Sequence, residues 1–257
     1  AQRLGVPTVI QEQNSYAGLT NKILAKRAKR ICVAYDNMER FFPKERIVMT
    51  GNPFPGRFIA DGSNRGEALG YYCVNDQMPV VLVVGGSLGT RTLNEMMKAW
   101  ILSLNGTAPV QVIWQTGKFY EREMREFLEA HPTKNIWQGA FIERMDYAYA
   151  AADVVLSRSG ACTVSELCLV AKPTIFVPSP NVAEDHQTKN AMALVGKGAA
   201  EIVRDSEAVE RGMKEAVALA MDRERLERLA ANIAQLAIGD AADRVVAEIE
   251  KELEKAL

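Results

Sequence analysis

The stretch that decides the fold is Ser157-Arg158-Ser159-Gly160-Ala161-Cys162-Thr163-Val164-Ser165-Glu166. The apolar run just before it, Val154 to Leu156, predicts a short buried strand. The residues from Val164 to Val170 are typical of the start of a helix. A strand, a small-residue turn and a helix start form a β/α unit. The free N–H groups and the dipole of such a helix start favour a diphosphate.

Two interpretations of this turn remain open on the local pattern. In the first, Gly160 and Ala161 let a ligand approach the backbone, and Glu166 accepts hydrogen bonds from the hydroxyls of a sugar. In the second, Thr163 and Glu166 form a capping box, T-x-x-E, which only stabilises the helix.

Composition places the chain among ordinary globular proteins. It has 257 residues, 48% of them apolar and 25% charged, enough for one large domain or two modest ones. The 31 basic and 32 acidic residues leave a net charge of -1, so no nucleic-acid partner is indicated. No apolar run reaches the ~18 residues of a spanning helix, and no signal-peptide pattern is present.

The cysteines and histidines argue against a metal site. The 4 cysteines have no C-x-x-C spacing, and the chain has only 2 histidines. We therefore expect no metal and no cofactor. Free cysteines also suit a reducing compartment, so a cytoplasmic location is expected.

A second strand, glycine turn and helix precede the first along the chain. The valine-rich run Pro79 to Val84 predicts a strand buried on both faces, hence parallel. Gly85-Gly86-Ser87-Leu88-Gly89 follows it, and then a helix over 90–104. G-G-S-x-G differs from G-x-G-x-x-G, so an NAD-linked Rossmann enzyme is the weakest alternative. The glycines could also serve only close packing of strand and helix.

The alternation of strands and helices continues to residue 257. It predicts strands at 110–114, 135–137, 154–156, 173–178 and 200–203, and helices at 120–130, 146–152, 186–196, 208–221, 223–236 and 241–257. This is a doubly wound parallel β/α domain. Its polar clusters follow the carboxyl ends of strands, so Ser87, Ile142, the stretch 159–166 and His186-Gln187 should meet at one crevice.

The first fifty residues predict a smaller unit. A strand at 8–10 runs into the polar set Gln11-Glu12-Gln13-Asn14, which is either a ligand site or a hydrogen-bonded turn. Strands are also predicted at 31–35 and 46–50. A helix over 18–30 carries five basic residues: Lys22, Lys26, Arg27, Lys29 and Arg30. They form either a solvated face or a contact for anionic headgroups or a diphosphate.

The domain boundaries are predicted from the chain breakers. Gly51-Asn52-Pro53-Phe54-Pro55-Gly56 is the best candidate for a linker. We expect a remnant of an N-terminal domain at 1–51, a second domain at 52–238, and a helix at 239–257 that packs back on the first unit. In that helix Val245, Val246, Ile249 and Leu253 share one face, which we expect to be covered. The start at Ala1, in mid-unit, predicts a fragment.

Six motifs, in this order, resemble the MurG glycosyltransferases. They are Q-E-Q-N-x-x-A-G-L-T-N-K at 11–22, G-N-P at 51–53, V-V-G-G-S-x-G at 83–89, Phe141-Ile142, S-R-S-G-A-x-T-V-S-E at 157–166, and D-H-Q-x-K-N-A at 185–191. The resemblance covers essentially the whole chain. It implies an α/β fold of GT-B type, with the donor in a complete C-terminal domain and the N-terminal Rossmann-like domain only partial.

The resemblance also implies the reaction and the partners. The family moves N-acetylglucosamine from UDP-GlcNAc to undecaprenyl-pyrophosphoryl-MurNAc-pentapeptide in peptidoglycan synthesis, with inversion and without a metal. The enzyme would work as a peripheral protein on the inner face of the bacterial cytoplasmic membrane.

Individual residues receive roles from the same resemblance. Ser87 and the run Ala161, Cys162, Thr163, Val164 and Ser165 would contact the diphosphate, and Ile142 the uracil through its backbone. Glu166 would hold the ribose hydroxyls. His186 and Gln187 belong to the segment that binds the GlcNAc hydroxyls, and Asn14 reaches that sugar across the cleft. Glu12, Asn94 and Arg158 match positions linked to activity.

Three departures from the family pattern affect these roles. Gln11 stands where the family usually has a histidine, and Arg57 is displaced by two residues from the usual donor contact. The family's first glycine-rich loop and the histidine after it, a candidate general base, have no counterpart. We expect about a hundred residues of an N-terminal domain to be absent.

Three functions therefore remain open. The first is an inverting GlcNAc transferase, of which this chain is a donor-binding part with little turnover. The second is a UDP-sugar-binding module without catalysis. The third is another GT-B-like enzyme, such as a UDP-GlcNAc epimerase, against which the Q-E-Q-N run argues.

Overall fold

The computed structural model describes residues 1–53 and 64–255. Arg57 and the second half of the predicted linker, Phe54 to Gly56, lie outside the described residues. The chain begins with a 3-10 turn over Gln2–Leu4, which ends at Gly5 in the left-handed region with φ 75°.

The first sheet has three parallel strands in the order β1-β2-β3. They are β1 (Val9–Glu12), β2 (Arg30–Val33) and β3 (Ile47–Met49), and helix α1 (Leu19–Leu24) connects the first two. The predicted helix over 18–30 is therefore too long. The guanidinium of Arg46 donates to the carbonyls of Ala25, Lys26 and Ala28, so tertiary contacts replace the next helical turn.

The second sheet has six parallel strands in the order β6-β5-β4-β7-β8-β9. The strands are β4 (Val80–Val84), β5 (Thr107–Gln115), β6 (Lys134–Gly139), β7 (Val154–Ser157), β8 (Thr174–Phe176) and β9 (Glu201–Ile202). The helices are α2 (Arg65–Tyr71), α3 (Arg91–Leu102), α4 (Glu121–Ala130), α5 (Met145–Ala151), α6 (Ala161–Leu169), α7 (His186–Val195), α8 (Asp205–Ala220), α9 (Arg223–Ala234) and α10 (Ala241–Glu254).

Helices cover both faces of the second sheet, as a doubly wound domain requires. Val81 and Val83 of β4 lie in one buried cluster, and Val80 and Leu82 lie in the other. This alternation follows from the two-residue period of a strand, and it explains why β4 is apolar throughout. The predicted parallel β/α architecture is confirmed.

Helix α2 has no counterpart among the elements predicted from the sequence. Ala68 and Leu69 are the buried residues of this helix, and Tyr72 directly after it is also buried. The guanidinium of Arg65 donates to the carbonyls of Ala150 and Ala151 at 3.1 and 2.9 Å. The apolar face of α2 is so short that the sequence shows no clear helical periodicity. The helix is therefore recognised only with its packing partner.

Helix α10 contacts the first unit through its polar side. The Nε of Arg30 lies 3.3 Å from Glu248 and 3.4 Å from Glu252. By contrast, Val246, Ile249 and Leu253 of the apolar stripe are 42 to 59% exposed and Val245 is only partly buried, so the expectation that this stripe is covered is wrong. The domain boundaries themselves stay a prediction. Within the described residues, no helix has the length and apolarity needed to cross a membrane.

Candidate functional site at the switch point

The candidate site lies where the strand order of the second sheet reverses. Strand β4 pairs with β5 on one side and with β7 on the other, and Val84 is aligned with Ser157. The glycine turn after β4 and the turn after β7 therefore leave the same edge side by side. A cavity of about 500 Å³ opens there, which we call the switch-point cavity. In open α/β sheets this position is the usual ligand site.

Several predicted residues line the switch-point cavity. Among them are Gly85, Gly86, Arg158, Gly160, Thr163 and Gln187. The cavity also contains Thr90, Arg91 and Thr92, which the sequence analysis did not single out. They could have been found, because they begin α3 just as Ala161 to Thr163 begin α6, directly after a glycine turn.

The start of α6 decides between the two interpretations of the S-R-S-G-A stretch. Gly160 is the N-cap, with φ -63° and ψ 149°, and no side chain caps the helix. Thr163 lies in the first turn instead of capping it, so the capping-box interpretation is wrong. A β-carbon on Gly160 would meet nothing closer than Thr163 Oγ1 at 3.9 Å. The N–H groups of this first turn are thus accessible to an anion.

Two glycines of the turn after β4, Gly86 and Gly89, serve different purposes. Gly86 has φ +84°, and a β-carbon there would meet no atom within 4 Å. Gly89 has φ +81°, and its β-carbon would overlap the carbonyl oxygen of Thr116. Gly89 therefore serves close packing, whereas Gly86 leaves open space beside the cavity. Ser87, between them, is exposed and is not among the lining residues.

The carboxylate of Glu166 is held by a tyrosine. Tyr149 Oη donates to Glu166 Oε2 at 3.0 Å. Burial raises the pKa of Glu166, and the hydrogen bond from Tyr149 opposes this rise. The carboxylate is therefore protonated at a higher pH than an exposed glutamate, and it loses acceptor capacity on acidification. Glu166 is half-buried and lies one turn beyond Thr163.

Arg158 is fixed by an ion pair that the sequence did not reveal. Its Nη1 donates to the carbonyl of Val177 at 2.8 Å and lies 2.5 Å from Asp205 Oδ1. Thr92 Oγ1 donates to the other carboxylate oxygen of Asp205 at 3.1 Å. Since Thr92 and Arg158 both line the cavity, Asp205 connects its two walls. Its position in sequence, at the start of α8, carried no signal of this contact.

Asn94 is enclosed in the fold. Its Nδ2 donates to the carbonyl of Thr116 at 3.0 Å, and its Oδ1 accepts from Trp114 Nε1 at 3.1 Å. The side chain is 2% exposed, so it has no access to a ligand. Asn94 instead holds the loop at Thr116 against which Gly89 packs.

Gln187 faces the cavity and His186 does not. Gln187 Oε1 accepts from the backbone N–H of Ser179 at 2.9 Å, and its carbonyl accepts from Ser159 Oγ at 2.8 Å. His186 Nδ1 lies 2.9 Å from the carbonyl of Ala183. The start of α7 is thereby tied to the turn after β7.

The polar run after β1 forms an organised loop. Glu12 is 2% exposed, and its carboxylate accepts from the N–H groups of Asn14 and Gly18 and from Asn21 Nδ2, at 2.9 to 3.0 Å. Glu12 therefore shapes the loop. Asn14 accepts a hydrogen bond at Oδ1 from Asn190 Nδ2, at 3.0 Å, and this bond crosses to the second unit.

Two asparagines that the site prediction omitted join the units. Asn190 is fully buried; it also accepts from the N–H of Ser15 at 2.9 Å and donates to the carbonyl of Ser159 at 3.3 Å. Asn52 donates to the carbonyl of Gln13 and to Ser165 Oγ, at 2.9 and 3.0 Å. Gln11 donates to Asn52 Oδ1 at 2.8 Å, which gives Gln11 a positioning role.

The remaining predicted residues have varied surroundings. The side chain of Ile142 is buried, so only its backbone is available, and Cys162 is exposed. Val164 and Ser165 line a different cavity, between the two units. The structure thus brings Arg158, Thr163 and Gln187 together in one cavity, but not Val164 and Ser165 with them.

The arrangement suits a bound anion. The starts of α3 and α6 both open at the switch-point cavity; Arg91 adds positive charge, and the guanidinium of Arg158, paired with Asp205, adds N–H donors. Within residues 1–53 and 64–255, no cluster of three or more His, Cys, Asp or Glu could hold a metal ion. Two helix starts and two guanidinium groups can stabilise the negative charge of a diphosphate, including one that develops as it leaves a sugar.

Comparison with known proteins gives a consistent result. The family model for the glycosyltransferase family 28 C-terminal domain matches residues 80–245. A curated relative from Parabacteroides distasonis is 51% identical over 251 residues, covering 98% of this chain and 68% of the relative. One from Porphyromonas gingivalis is 51% identical over 255 residues, covering 99% and 67%. Both are named UDP-N-acetylglucosamine:N-acetylmuramyl-(pentapeptide) pyrophosphoryl-undecaprenol N-acetylglucosamine transferase.

Solved structures agree with the fold. The crystal structure of Acinetobacter baumannii MurG matches with a TM-score of 0.75 at 33% identity, covering 97% of this chain and 68% of that one. A UDP-GlcNAc 2-epimerase from Neisseria meningitidis bound to UDP-GlcNAc matches with a TM-score of 0.65 at 14% identity, covering 97% and 71%. The latter shows the fold alone. The chain spans about two thirds of the length of its curated relatives, 68 and 66% for two of them.

Proposed function

The chain belongs to the family of MurG glycosyltransferases, of GT-B fold, and we propose that its switch-point cavity binds the diphosphate of UDP-GlcNAc. The observation that carries this proposal is the convergence of the starts of α3 and α6 on one cavity, with Arg158 in its wall. Anion binding at helix starts is a general property of the backbone, and two of them suit two phosphates.

Neighbouring residues contact different parts of the UDP-GlcNAc donor. Glu166, held by Tyr149, accepts from the ribose hydroxyls, and the backbone at Ile142 meets the uracil. Gln187, at the start of α7, contacts the GlcNAc hydroxyls. Asn14 reaches the same sugar from the first unit, since Asn190 fixes it at the border of the two units. Ser87 adds a hydroxyl donor from the exposed glycine turn.

The transfer follows from this arrangement. The acceptor hydroxyl of the lipid-linked MurNAc-pentapeptide attacks the anomeric carbon, and UDP leaves on the opposite face, so the configuration inverts. The developing charge on the diphosphate is stabilised by the helix starts and by Arg158, positioned by Asp205. A base assists removal of the acceptor proton; no residue of this chain is assigned that task.

A membrane-facing surface is proposed for the first unit. Leu19 and Ile23 of α1 are 72 and 58% exposed, and Lys22, Lys26 and Arg27 lie beside them. Exposed apolar side chains next to basic ones are typical of contact with an anionic membrane surface. We propose on this basis that the protein works peripherally, on the cytoplasmic face, where its lipid-linked acceptor is accessible.

Calorimetric titration with UDP-GlcNAc tests the proposal, with UDP-glucose and NAD as controls. We expect saturable binding of UDP-GlcNAc and none of NAD. Analysis of the sugar after incubation without acceptor distinguishes an epimerase, which would form UDP-ManNAc. Absence of UDP-GlcNAc binding to the folded chain would overturn the proposal.

A further inference from the structure

A second cavity lies between the two units, and the donor site does not use it. It measures about 550 Å³ and is bounded by the ends of β2 and β3, by α6 and α7, and by residues 235–238. We call it the interface cavity. Its volume lies within the ~300–1,000 Å³ of small-molecule sites. It shares no lining residue with the switch-point cavity.

The body of the interface cavity is apolar. Met49 from the first unit faces Cys168, Met192, Leu194, Leu236 and Ile238 from the second. Met192 is 48% exposed, although it lies on the same helix as the buried Leu194. Methionine and leucine walls of this kind adapt to an apolar ligand and gain from its burial.

Two buried hydroxyl groups in the cavity wall have no partner among the described residues. They are Ser15 Oγ and Tyr35 Oη. Ser15 is 6% exposed. A buried hydroxyl without a hydrogen bond costs free energy, and native structures contain few of them. A polar ligand atom within the cavity would satisfy both.

The lining of the interface cavity includes two cations without a carboxylate partner among the described residues. Arg40 and Lys189 both line it, and within the described part of the chain neither forms an ion pair with a carboxylate. Arg40 Nη2 donates to the carbonyl of Ser15 at 2.9 Å. Lys189 Nζ lies 3.3 Å from the ring centroid of Tyr16. Arg40 lies over the ring of Phe41, whose centroid is 4.8 Å from that of Tyr16, and Lys22 lies over both rings.

Lys197, the other lysine that lines the interface cavity, differs from Lys189 in having an ion-pair partner. Lys197 is paired with Asp36 at 2.8 Å, so its charge is already compensated. Among the described residues that line the interface cavity, the cations without an ion pair are therefore Arg40 and Lys189. Guanidinium and ammonium groups placed together in this way bind a phosphate or carboxylate through charge-assisted hydrogen bonds.

We propose that the interface cavity is a second ligand site, for a small amphipathic anion. The apolar part of this ligand lies against Met192 and Leu236. Its anionic group lies between Arg40 and Lys189, within reach of Ser15 Oγ. Because Ser165 and Lys189 belong to the helices that begin at the donor site, this ligand contacts both units and both helices.

The test uses decyl phosphate as the probe on the full 257-residue chain, below its micelle concentration. Methyl-labelled methionine NMR locates it: Met49 and Met192 should shift, whereas Met213, buried on the other face of the sheet, should not. Inorganic phosphate and decyl maltoside are the comparison ligands. We expect each to bind at least about tenfold more weakly than decyl phosphate.

Three variants separate the parts of the proposal. The double variant R40Q/K189Q should weaken decyl phosphate at least about tenfold. The matched control K214Q, an exposed lysine on α8, should not change its affinity. Ala193→Phe, which fills the cavity, should abolish binding. UDP binding, measured on each, reports that the variant is folded and is independent of this site.

The contrary outcomes are specific. Equal binding of decyl maltoside would overturn the assignment of an anion. Shifts that omit Met49 and Met192, or affinity unchanged in both R40Q/K189Q and Ala193→Phe, would overturn the site itself. So would competition by UDP that follows simple displacement, because the two cavities share no residue.

Discussion

At the scale of single residues, the contacts of Glu166 and Arg158 distinguish structural from ligand-directed side chains. Glu166 does not cap α6, because Gly160 occupies that position, and its carboxylate is oriented by Tyr149. Arg158 is oriented by Asp205 in the wall of the cavity. The side chain of Asn94, in contrast, forms its hydrogen bonds with Trp114 and Thr116 inside the fold. All three residues match positions of the family motifs, but their side chains make different kinds of contact.

We expect Glu166→Ala to weaken UDP binding by roughly 1–3 kcal/mol, the scale of a lost hydrogen bond to a charged group. Glu166→Gln should lose less, because an amide oxygen can still accept. Calorimetry measures the affinity, and circular dichroism checks that the fold is intact. An unchanged affinity in a folded Glu166→Ala protein would show that Glu166 does not hold the ribose.

At the scale of elements, the glycine turn after β4 combines two demands. Gly86 leaves open space at the cavity, and Gly89 allows the loop at Thr116 and Gly117 to approach. Both have positive φ, so neither conformation suits a residue with a β-carbon. The sequence showed that glycines were needed, but it could not assign one purpose to each.

Gly89→Ala and Gly86→Ala form a matched pair. Both place alanine in the left-handed region, at about 1–2 kcal/mol. Only Gly89→Ala also drives a β-carbon into the Thr116 carbonyl. Urea denaturation should therefore show a larger loss of stability for Gly89→Ala. Equal losses would mean that the loop moves aside without cost.

Lys172 links the end of α6 to α5 and gives stability a pH dependence. Its Nζ donates to the carbonyl of Ala152 at 2.7 Å, at the end of α5. Burial, and after it the charge of Arg65, lower the pKa of Lys172 from 10.5 to about 8, against the opposing effect of Asp153. In the unfolded chain the amine keeps its ordinary pKa. Between these pH values the unfolded state binds more protons, so stability rises with pH.

Lys172→Met isolates this contribution. The difference in unfolding free energy between Lys172→Met and the parent protein should shift in favour of the parent as pH rises from about 8 to 10.5. Taking the difference cancels the titration of tyrosines and other lysines. Urea denaturation at several pH values measures it. A difference that stays constant across this range would contradict the lowered pKa.

At the scale of the whole molecule, two buried asparagines hold the units together. Asn190 connects Asn14 and Ser15 to Ser159, and Asn52 connects Gln13 to Ser165. An asparagine side chain offers both a donor and an acceptor, so one residue can bond two backbones in fixed directions. These contacts place the loop after β1 beside the donor site.

Asn190→Ala should therefore affect stability and donor binding together. It leaves buried groups of Asn14 and Ser15 without their partner, at roughly 1–3 kcal/mol of unfolding free energy. UDP-GlcNAc should weaken more than UDP, because Asn14 lies on the side of the sugar. Asn232→Ala is the control: its amide also donates to a backbone carbonyl, that of Gly198, but at an exposed site. If both substitutions behave alike, the bridge has no special role.

The sequence by itself determined the fold class, the family and the edge of the sheet at which the donor site lies. These depend on local patterns: a two-residue strand period, glycine turns before helix starts, and motifs in a set order. It also indicated Gly160, Thr163 and Gln187 beside the cavity, because turns at the carboxyl ends of parallel strands meet at one edge.

Only the tertiary structure decided which polar side chains face a ligand and which are consumed by the fold. Asp205 beside Arg158, Asn190 beside Asn14 and the early end of α1 at Leu24 all depend on partners distant in sequence. Hydrogen bonds and ion pairs depend on distance in space and not on separation along the chain. The hydrophobic periodicity of the sequence therefore does not reveal them. The interface cavity has the same origin, because its walls come from both units.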